Sequence, residues 1–248
     1  MQSRIIIMLL QLATASSFTL KAGFGFRQSS LSLKAGFGFR QSSLSSLSSM
    51  KRILVPIATG TEEIELTAIQ DTLVRFGAEV TIASVMDCCV DIVQPLLMSR
   101  GIRVLPDCHI RDCAAIKFDA IVLPGGMPGA EHLRDSSTLT TLLSEQISSN
   151  RLVGAICAAP AVVLGSLEGG IGLPIQSTGY PAQSFTKILN DNNVDKSSQD
   201  KGVVVSTCKN FVTGQGPGLA LQFSLTVGEL VFGVEKRNSV AAEMLVKI

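Results

Sequence analysis

A cysteine stands where an apolar run changes into a helical pattern, in VGAICAAPAVVLG at 153–165. Ala155 and Ala159 lie two positions to either side of Cys157, as the tight strand-to-helix turn that presents a nucleophile requires. A helix N-terminus has unpaired N–H groups that stabilise a thiolate and lower its pKa, and Pro160 fits such a first turn. The pattern predicts a nucleophile; a packed core thiol is the alternative, since free cysteines are often buried.

A carboxyl group that can move a proton is expected in the loop after the first predicted strand. GTEEIE at 60–65 contains three glutamates, and acidic residues in a first helical turn are usually solvated caps. Glu65, however, stands between Ile64 and Leu66, so we expect apolar surroundings that raise its pKa and suit it to acid–base work.

A glycine turn is the third chemical feature. FDAIVLPGG at 118–126 ends in Gly125 and Gly126, whose backbone N–H groups can hold a developing oxyanion. An ordinary turn is the alternative for this motif taken alone.

Alternating strands and helices must position these groups. Such alternation predicts a mostly parallel sheet covered on both faces, with the chemistry beyond the carboxyl ends of the strands. We expect a hairpin of β-type fragments within 88–106. The other predicted strands are 52–58, 78–85, 118–126, 151–156, 202–207 and 210–214, and the predicted helices follow the first of these and cover 136–148, 157–167, 216–233 and 234–248.

Four motifs in register carry a family resemblance. GTEEIE (60–65), FDAIVLPGG (118–126), GAICAAP (154–160) and TGQGPG (213–218) resemble the ThiJ/PfpI family, within the class I glutamine amidotransferase-like superfamily. The resemblance extends from Lys51 to Ile248 and is strongest to the glyoxalase III and protein deglycase branch. It implies a flavodoxin-like three-layer α/β sandwich with a nucleophile elbow, and a homodimer.

The same resemblance implies roles for single residues. Cys157 corresponds to the reactive, oxidation-prone cysteine, and Glu65 to the buried carboxyl paired with it. Gly126 and Ala158 would supply N–H groups at the oxyanion position. Arg100, in SRGIRV, matches an arginine near the pocket mouth or the dimer contact.

The sequence departs from some relatives near the site. In STGYPAQ at 177–183, Tyr180 takes the place of a histidine, and it either donates a hydrogen bond to substrate or packs as an aromatic. His109 and His132 match no catalytic position and are expected at the surface. A Cys–His dyad is therefore unsupported, which disfavours amidase or peptidase activity.

The implied function is hydrolysis of reactive dicarbonyls such as methylglyoxal, or of their early adducts. Cys157 would form a hemithioacetal and Glu65 would move the proton, with no cofactor. The alternative is a redox sensor or chaperone in which Cys157 is oxidised to sulfinic acid.

Composition excludes several partners and cofactors. A net charge of +1 with no Trp and one Tyr does not favour nucleic acid. Six cysteines without a CxxC pair, and two histidines, predict free thiols and no metal site.

The first fifty residues are expected to lie outside the domain, which spans 51–248. They contain no Asp or Glu, and LKAGFGFRQSSLS occurs twice in tandem, at 20–32 and 33–45. A signal-like apolar run at 5–13 precedes this basic, serine-rich segment, which favours import into a plastid or mitochondrion, with no membrane association after processing. A cytoplasmic product that starts at Met50 is the alternative.

Overall fold

The computed structural model describes residues 50–86, 93–167, 172–208 and 210–247. The duplicated segment lies outside the described residues, as do the adjacent Cys88 and Cys89. The targeting role expected of the first and the free thiols expected of the others stay predictions.

A seven-stranded sheet, accompanied by a separate two-stranded hairpin, forms the centre of the described domain. The strands are β1 (Arg52–Ile57), β2 (Glu79–Ser84), β3 (Leu96–Leu97), β4 (Arg103–Val104), β5 (Cys108–His109), β6 (Ala120–Leu123), β7 (Leu152–Ile156), β8 (Val203–Val205) and β9 (Phe211–Gly214). The helices are α1 (Glu63–Arg75), α2 (Gly129–Asp135), α3 (Ser137–Ser148), α4 (Ala159–Val162), α5 (Gln183–Asp191), α6 (Lys196–Gln199), α7 (Ala220–Phe232) and α8 (Val234–Glu243).

The sheet has the strand order β5-β2-β1-β6-β7-β9-β8, and every neighbouring pair is parallel except β8 with β9. From β1 the chain moves outward to β2, and from β6 it moves in the opposite direction to β7. Right-handed crossovers therefore place α1 and α3 on opposite faces of the sheet. This arrangement confirms the predicted flavodoxin-like sandwich.

The central strands are covered on both faces, which is why their sequences are almost continuously apolar. β6 and β7 are buried along their whole lengths, and in β1 only Arg52 reaches partial exposure. α1 and α7 pack together, and α8 packs on α7. The carboxyl ends of β1, β6 and β7 meet in the middle of one sheet edge, where the three motifs were expected to converge.

Several elements differ from the sequence prediction. The helix expected over 157–167 is α4 followed by a 3₁₀ turn at Leu164–Ser166, and the helix expected from 216 begins with a 3₁₀ turn at Pro217–Leu219. α8 ends at Glu243. The hairpin predicted within 88–106 is present as β3 and β4. The short elements β5, α2, α5 and α6 were not predicted.

None of the helices in the described residues is long and apolar enough to cross a membrane.

Candidate functional site

Cys157 occupies a strained turn directly after β7. Its φ angle is 63°, in the left-handed region that costs a residue with a side chain on the order of 1 kcal/mol or more. Its N–H donates to the carbonyl of Gly214 at 2.9 Å, and its carbonyl accepts from the N–H of Tyr180 at 2.8 Å. Bonds from β9 and from the segment before α5 therefore hold the elbow in this strained conformation.

The elbow is closely packed by small residues. Ala155 and Ala159 are fully buried. A Cβ added at Gly125 would lie 2.7 Å from Cβ of Cys157 and 2.9 Å from N of Ala158. Only glycine at position 125 lets the loop after β6 approach the elbow this closely.

Glu65 lies in the first turn of α1 and is completely buried. Its Oε2 accepts a 2.7 Å hydrogen bond from the N–H of Gly125. From the sequence, the Gly125 N–H was expected to donate a hydrogen bond to a developing oxyanion. The structure corrects this expectation, because the Gly125 N–H is already bonded to the carboxyl.

The other oxygen of Glu65, Oε1, is buried and makes no hydrogen bond of normal geometry within the described part of the chain. The Cys157 thiol is close enough to influence the carboxyl. Burial raises the pKa of Glu65 to about 7, with a smaller increase from the charge of Glu62, against the lowering effect of the bonds from Gly125 and Cys157. A carboxyl with this pKa can both accept and donate a proton near neutral pH.

The thiol does not have the lowered pKa that the sequence predicted. Burial and, to a smaller degree, the negative charge of Glu65 together raise the pKa of Cys157 to about 12, against the lowering effect of the N–H groups of Gly126 and Ala158. α4 contains only four residues, so its dipole is too small to outweigh burial. Because the two ionised forms disfavour each other, the pair carries one negative charge above about pH 7, and a protonated Glu65 is the condition for a thiolate.

The N–H groups of Gly126 and Ala158 lie close enough to the Cys157 sulfur to favour its ionised form. Gly126 has a φ of 90°, and a Cβ there would meet the Gly60 carbonyl and, at 2.5 Å, N of Glu62. The two N–H groups are therefore placed to bond a thiolate. They can equally bond the oxyanion that forms when the sulfur adds to a carbonyl carbon.

The burial and raised pKa expected of Glu65 are confirmed, whereas Glu62 and Glu63 are also buried, so the expectation of solvated caps was wrong for these two. Glu62 caps α1 by accepting from the N–H of Glu65 at 2.8 Å. Glu63 accepts from Ser99 Oγ at 2.9 Å and from the Arg100 N–H at 2.8 Å. Ile64, which had been expected to shield Glu65, is exposed. Glu65 is buried by the loop after β6 instead.

Burial of Glu63 tends to raise its pKa, but the hydrogen bonds from its own N–H, Ser99 Oγ and the Arg100 N–H lower the pKa below its ordinary value. The ionised carboxylate thereby anchors the β3–β4 hairpin to α1. This anchor had no signal in the sequence beyond the run of acidic residues.

Arg100 and Tyr180 lie at the periphery. The Arg100 side chain is exposed and its Nη1 donates to the Ser99 carbonyl at 3.2 Å. The Tyr180 ring is 45% exposed and stands edge-on to Phe185, while its backbone N–H holds the elbow. The structure thus brings Cys157, Glu65, Gly126 and Ala158 together, and it gives Tyr180 a backbone contact with them.

The two histidines lie elsewhere. His109 is buried, which corrects the expectation of a surface residue, and His132 is half-buried; both line a separate polar cavity with Ser84 and Arg111. His109 lies in β5, four strand positions from β7, which is roughly 19 Å at the usual strand spacing. His109 therefore cannot act as a base for Cys157.

Within the described ranges, no group of three or more His, Cys, Asp or Glu side chains is arranged to hold a metal ion.

A flavodoxin-like sandwich with a cysteine on a strained elbow and a buried carboxyl beside it defines a cysteine-dependent α/β protein class. The model of the DJ-1/PfpI family matches residues 51–230, and the chain belongs to that family.

Named relatives support this assignment. The chain is 37% identical to protein DJ-1 homolog A of Arabidopsis thaliana over 211 residues, which is 81% of this chain and 48% of the relative. It thus spans about half of that relative's length. It is 33% identical to the glutathione-independent glyoxalase DJR-1.2 of Caenorhabditis elegans, over 75% of this chain and 91% of the relative.

A solved structure gives the same result. The oxidised Toxoplasma gondii DJ-1 aligns with a TM-score of 0.71 at 37% identity, covering 80% of this chain and all of the other.

Proposed function

We propose that this protein is a glyoxalase of the DJ-1 type that needs no cofactor and converts methylglyoxal-type dicarbonyls to hydroxy acids. The observation that carries the proposal is the pairing of a buried carboxyl, whose pKa is about 7, with a cysteine held on a strained elbow. The relative named a glutathione-independent glyoxalase supports the substrate class.

The first step is addition of the Cys157 sulfur to the aldehyde carbon of methylglyoxal. The thiol proton passes to the Glu65 carboxylate as the C–S bond forms. Glu65 then gives that proton to the new oxyanion, which yields the hemithioacetal and leaves Glu65 ionised. The N–H groups of Gly126 and Ala158 bond the oxyanion before that protonation.

The second step moves a proton between the two former carbonyl carbons. Glu65, once ionised, takes the proton from the hemithioacetal carbon, and the resulting enediol is reprotonated at the neighbouring carbon to give a thioester. Water then hydrolyses the thioester, which releases lactate and restores the thiol. Early adducts of dicarbonyls with thiols or amines can enter the same sequence after they release the dicarbonyl.

The test is lactate formation from methylglyoxal by the full chain and two variants, Cys157→Ser and Glu65→Gln. We expect both variants to lose at least about a thousandfold in kcat/KM, since both the nucleophile and the acid–base group act in the chemical steps. Cys208→Ser removes an exposed thiol and is the matched control, for which we expect unchanged activity. Turnover by Cys157→Ser at the wild-type rate would reject the proposal.

A redox role for Cys157 is the second candidate function. Its support is the buried Oε1 of Glu65, which lacks a normal partner and, when protonated, can donate to an oxygen of an oxidised sulfur. Selective oxidation of Cys157 by low peroxide, combined with negligible dicarbonyl turnover, would favour this function over the glyoxalase.

The proposal also includes a homodimer and import of the full chain into a plastid or mitochondrion. Light scattering of the purified protein tests the first, and imaging of residues 1–50 fused to a fluorescent protein tests the second.

A further inference from the structure

Two cysteines outside the candidate site face each other across the turn that follows β5. Cys108 is the first residue of β5, and Cys113 ends the 3₁₀ turn Ile110–Cys113. Their Sγ atoms lie 3.7 Å apart, and both thiols are free. A disulfide needs an S–S distance of about 2.05 Å, so the sulfurs must approach by roughly 1.7 Å. Rotation of either side chain about its Cα–Cβ bond supplies a movement of that size.

The backbone around the two cysteines is held in place by carboxylates. Asp107 accepts from the N–H of Ile82 on β2 at 2.8 Å, next to the point where Cys108 pairs with the same strand. Asp112 accepts from the N–H of His109 at 3.2 Å, within the turn itself. These bonds fix both ends of the six-residue segment, so the thiols meet as a consequence of the fold rather than of chance side-chain orientation.

The two thiols differ in exposure. Cys108 is half-buried and open to a small reagent, whereas Cys113 is 1% exposed and packs in the core. A reagent therefore reaches Cys108 first, and Cys113 is placed behind it to displace whatever group becomes attached there.

We propose that Cys108 and Cys113 form a reversible intramolecular disulfide, with a low-molecular-weight disulfide such as glutathione disulfide as the oxidant. The Cys108 thiolate attacks one glutathione sulfur, the S–S bond of the reagent breaks, and one glutathione leaves as a thiolate. The Cys113 thiolate then attacks Sγ of Cys108 and expels the second glutathione. The two cysteines lose two electrons, the reagent gains them, and the two thiol protons end on two glutathione molecules.

The bond would tie β5 to the turn that follows it. Arg111, which lies between the two cysteines, would then sit inside a covalently closed loop at the edge of the sheet. The modification is independent of the proposed glyoxalase reaction, because it uses neither Cys157 nor Glu65.

Peptide mapping can detect this disulfide, because trypsin sites separate the two cysteines. Trypsin cleaves after Arg103, Arg111 and Lys117, so it separates Cys108 and Cys113 onto the peptides VLPDCHIR and DCAAIK. The full chain is incubated with glutathione disulfide at mildly alkaline pH, remaining thiols are alkylated, and the protein is digested after denaturation. We expect the two peptides to appear as one linked species that is two hydrogens lighter than their sum, and to separate on reduction.

Variants and a second readout complete the test. Cys113→Ala should leave glutathione on Cys108 and yield no linked species, while Cys208→Ser should give the linked species as the wild type does. Oxidation should also slow tryptic cleavage at Arg111 in the native protein by roughly tenfold, since a closed loop opens less often. Alkylation of both thiols, glutathione retained on wild-type Cys108, a link to another cysteine, or an unchanged cleavage rate would each overturn the proposal.

Discussion

The N–H of Gly125 donates to Oε2 of Glu65, and the carbonyl of the same glycine accepts from the N–H of Glu62 at 3.0 Å. One residue in the loop after β6 therefore holds both the capping glutamate and the reactive carboxyl of α1. The same glycine contacts the elbow of Cys157. Gly125 therefore positions both groups of the proposed reaction.

Replacement of Gly125 by alanine should disable the site. The new Cβ would lie 2.7 Å from Cβ of Cys157, so the elbow or the loop must shift. A displacement of about 1 Å in a reacting group costs on the order of a hundredfold in rate, and we expect kcat/KM for methylglyoxal to fall by at least that factor. Gly218→Ala is the control, because a Cβ there meets nothing within 4 Å. Equal activity of Gly125→Ala and Gly218→Ala would show that turnover does not need the close approach of Gly125 to the Cys157 elbow.

Glu65→Gln should stabilise the protein at alkaline pH. The pKa of Glu65 is raised from 4.5 to about 7 in the folded state, so the folded chain favours the neutral carboxyl. The contribution of the neutral carboxyl to the free energy of unfolding is fully present below about pH 4.5, and it is lost as the pH rises through 7. Above pH 7 the cost of ionisation approaches about 3 kcal/mol, which glutamine does not incur.

Urea unfolding at pH 5 and pH 8 measures this effect. We expect similar stability for wild type and Glu65→Gln at pH 5 and a clear advantage for the variant at pH 8. Glu235→Gln, on the exposed surface of α8, should match the wild type at both values. A Glu65→Gln variant that is no more stable than wild type at pH 8 would contradict the raised pKa.

The rate of the glyoxalase reaction should depend on the ionisation of the Cys157–Glu65 pair. Because one negative charge on the pair is required for addition to the aldehyde, kcat/KM should rise about tenfold per pH unit below 7 and level off above it. Initial rates of lactate formation from pH 5 to pH 9 provide the profile. A flat profile across pH 7 would mean that another group controls the reaction.

Glu63→Gln should loosen the β3–β4 hairpin without removing a reacting group. The carboxylate accepts from Ser99 Oγ and the Arg100 N–H, and weakening two charge-assisted bonds costs about 1–3 kcal/mol. Since its folded pKa is lowered, this contribution is present above about pH 4.5 and is lost as the pH falls through the folded value.

Amide hydrogen exchange of residues 96–104 measures the loosening. We expect the Glu63→Gln substitution to increase the exchange rate there more than in β6. Asp71→Asn removes an exposed partner of Arg75 and should cost less than about 0.5 kcal/mol. If exchange in the hairpin is unchanged in Glu63→Gln, the carboxylate is not its anchor.

Tyr180→Phe should leave activity within about twofold of wild type. The contact of Tyr180 with the elbow comes from its backbone N–H, and phenylalanine keeps both that bond and the ring packed against Phe185. Steady-state kinetics of the variant are the measurement. A tenfold loss in kcat/KM would assign the phenol hydroxyl to substrate binding.

The features that sequence reasoning predicted share one property: they depend on local pattern. The apolar runs of β1, β6 and β7 indicate buried parallel strands, and the small residues around Cys157 indicate the elbow. α6 was missed because its four residues are all polar. α5 was missed although Phe185, Ile188 and Leu189 stand at helical spacing. β5 was missed because two residues that pair with β2 have no periodicity to detect.

The features that could not be predicted depend on contacts between distant segments. The burial of Glu63 results from the hairpin that folds over it. The burial of Glu65 was predicted, but the loop at Gly125 that covers it, sixty positions away in the chain, was not. The raised pKa of Cys157 likewise follows from its surroundings, whereas the sequence suggested only the helix start. The bond from Gly125 to Glu65 could not be distinguished beforehand from an oxyanion contact.

The distribution of the site along the chain also determines when it can exist during synthesis. Glu65 emerges from the ribosome long before Cys157, and the N–H of Cys157 has its partner only after Gly214 on β9 has been made. A nascent chain that ends before β9 therefore contains both side chains but lacks the strand that fixes the elbow. Under the proposed function, dicarbonyl turnover by this protein therefore requires a chain completed through β9, and chains truncated before β9 are expected to be inactive.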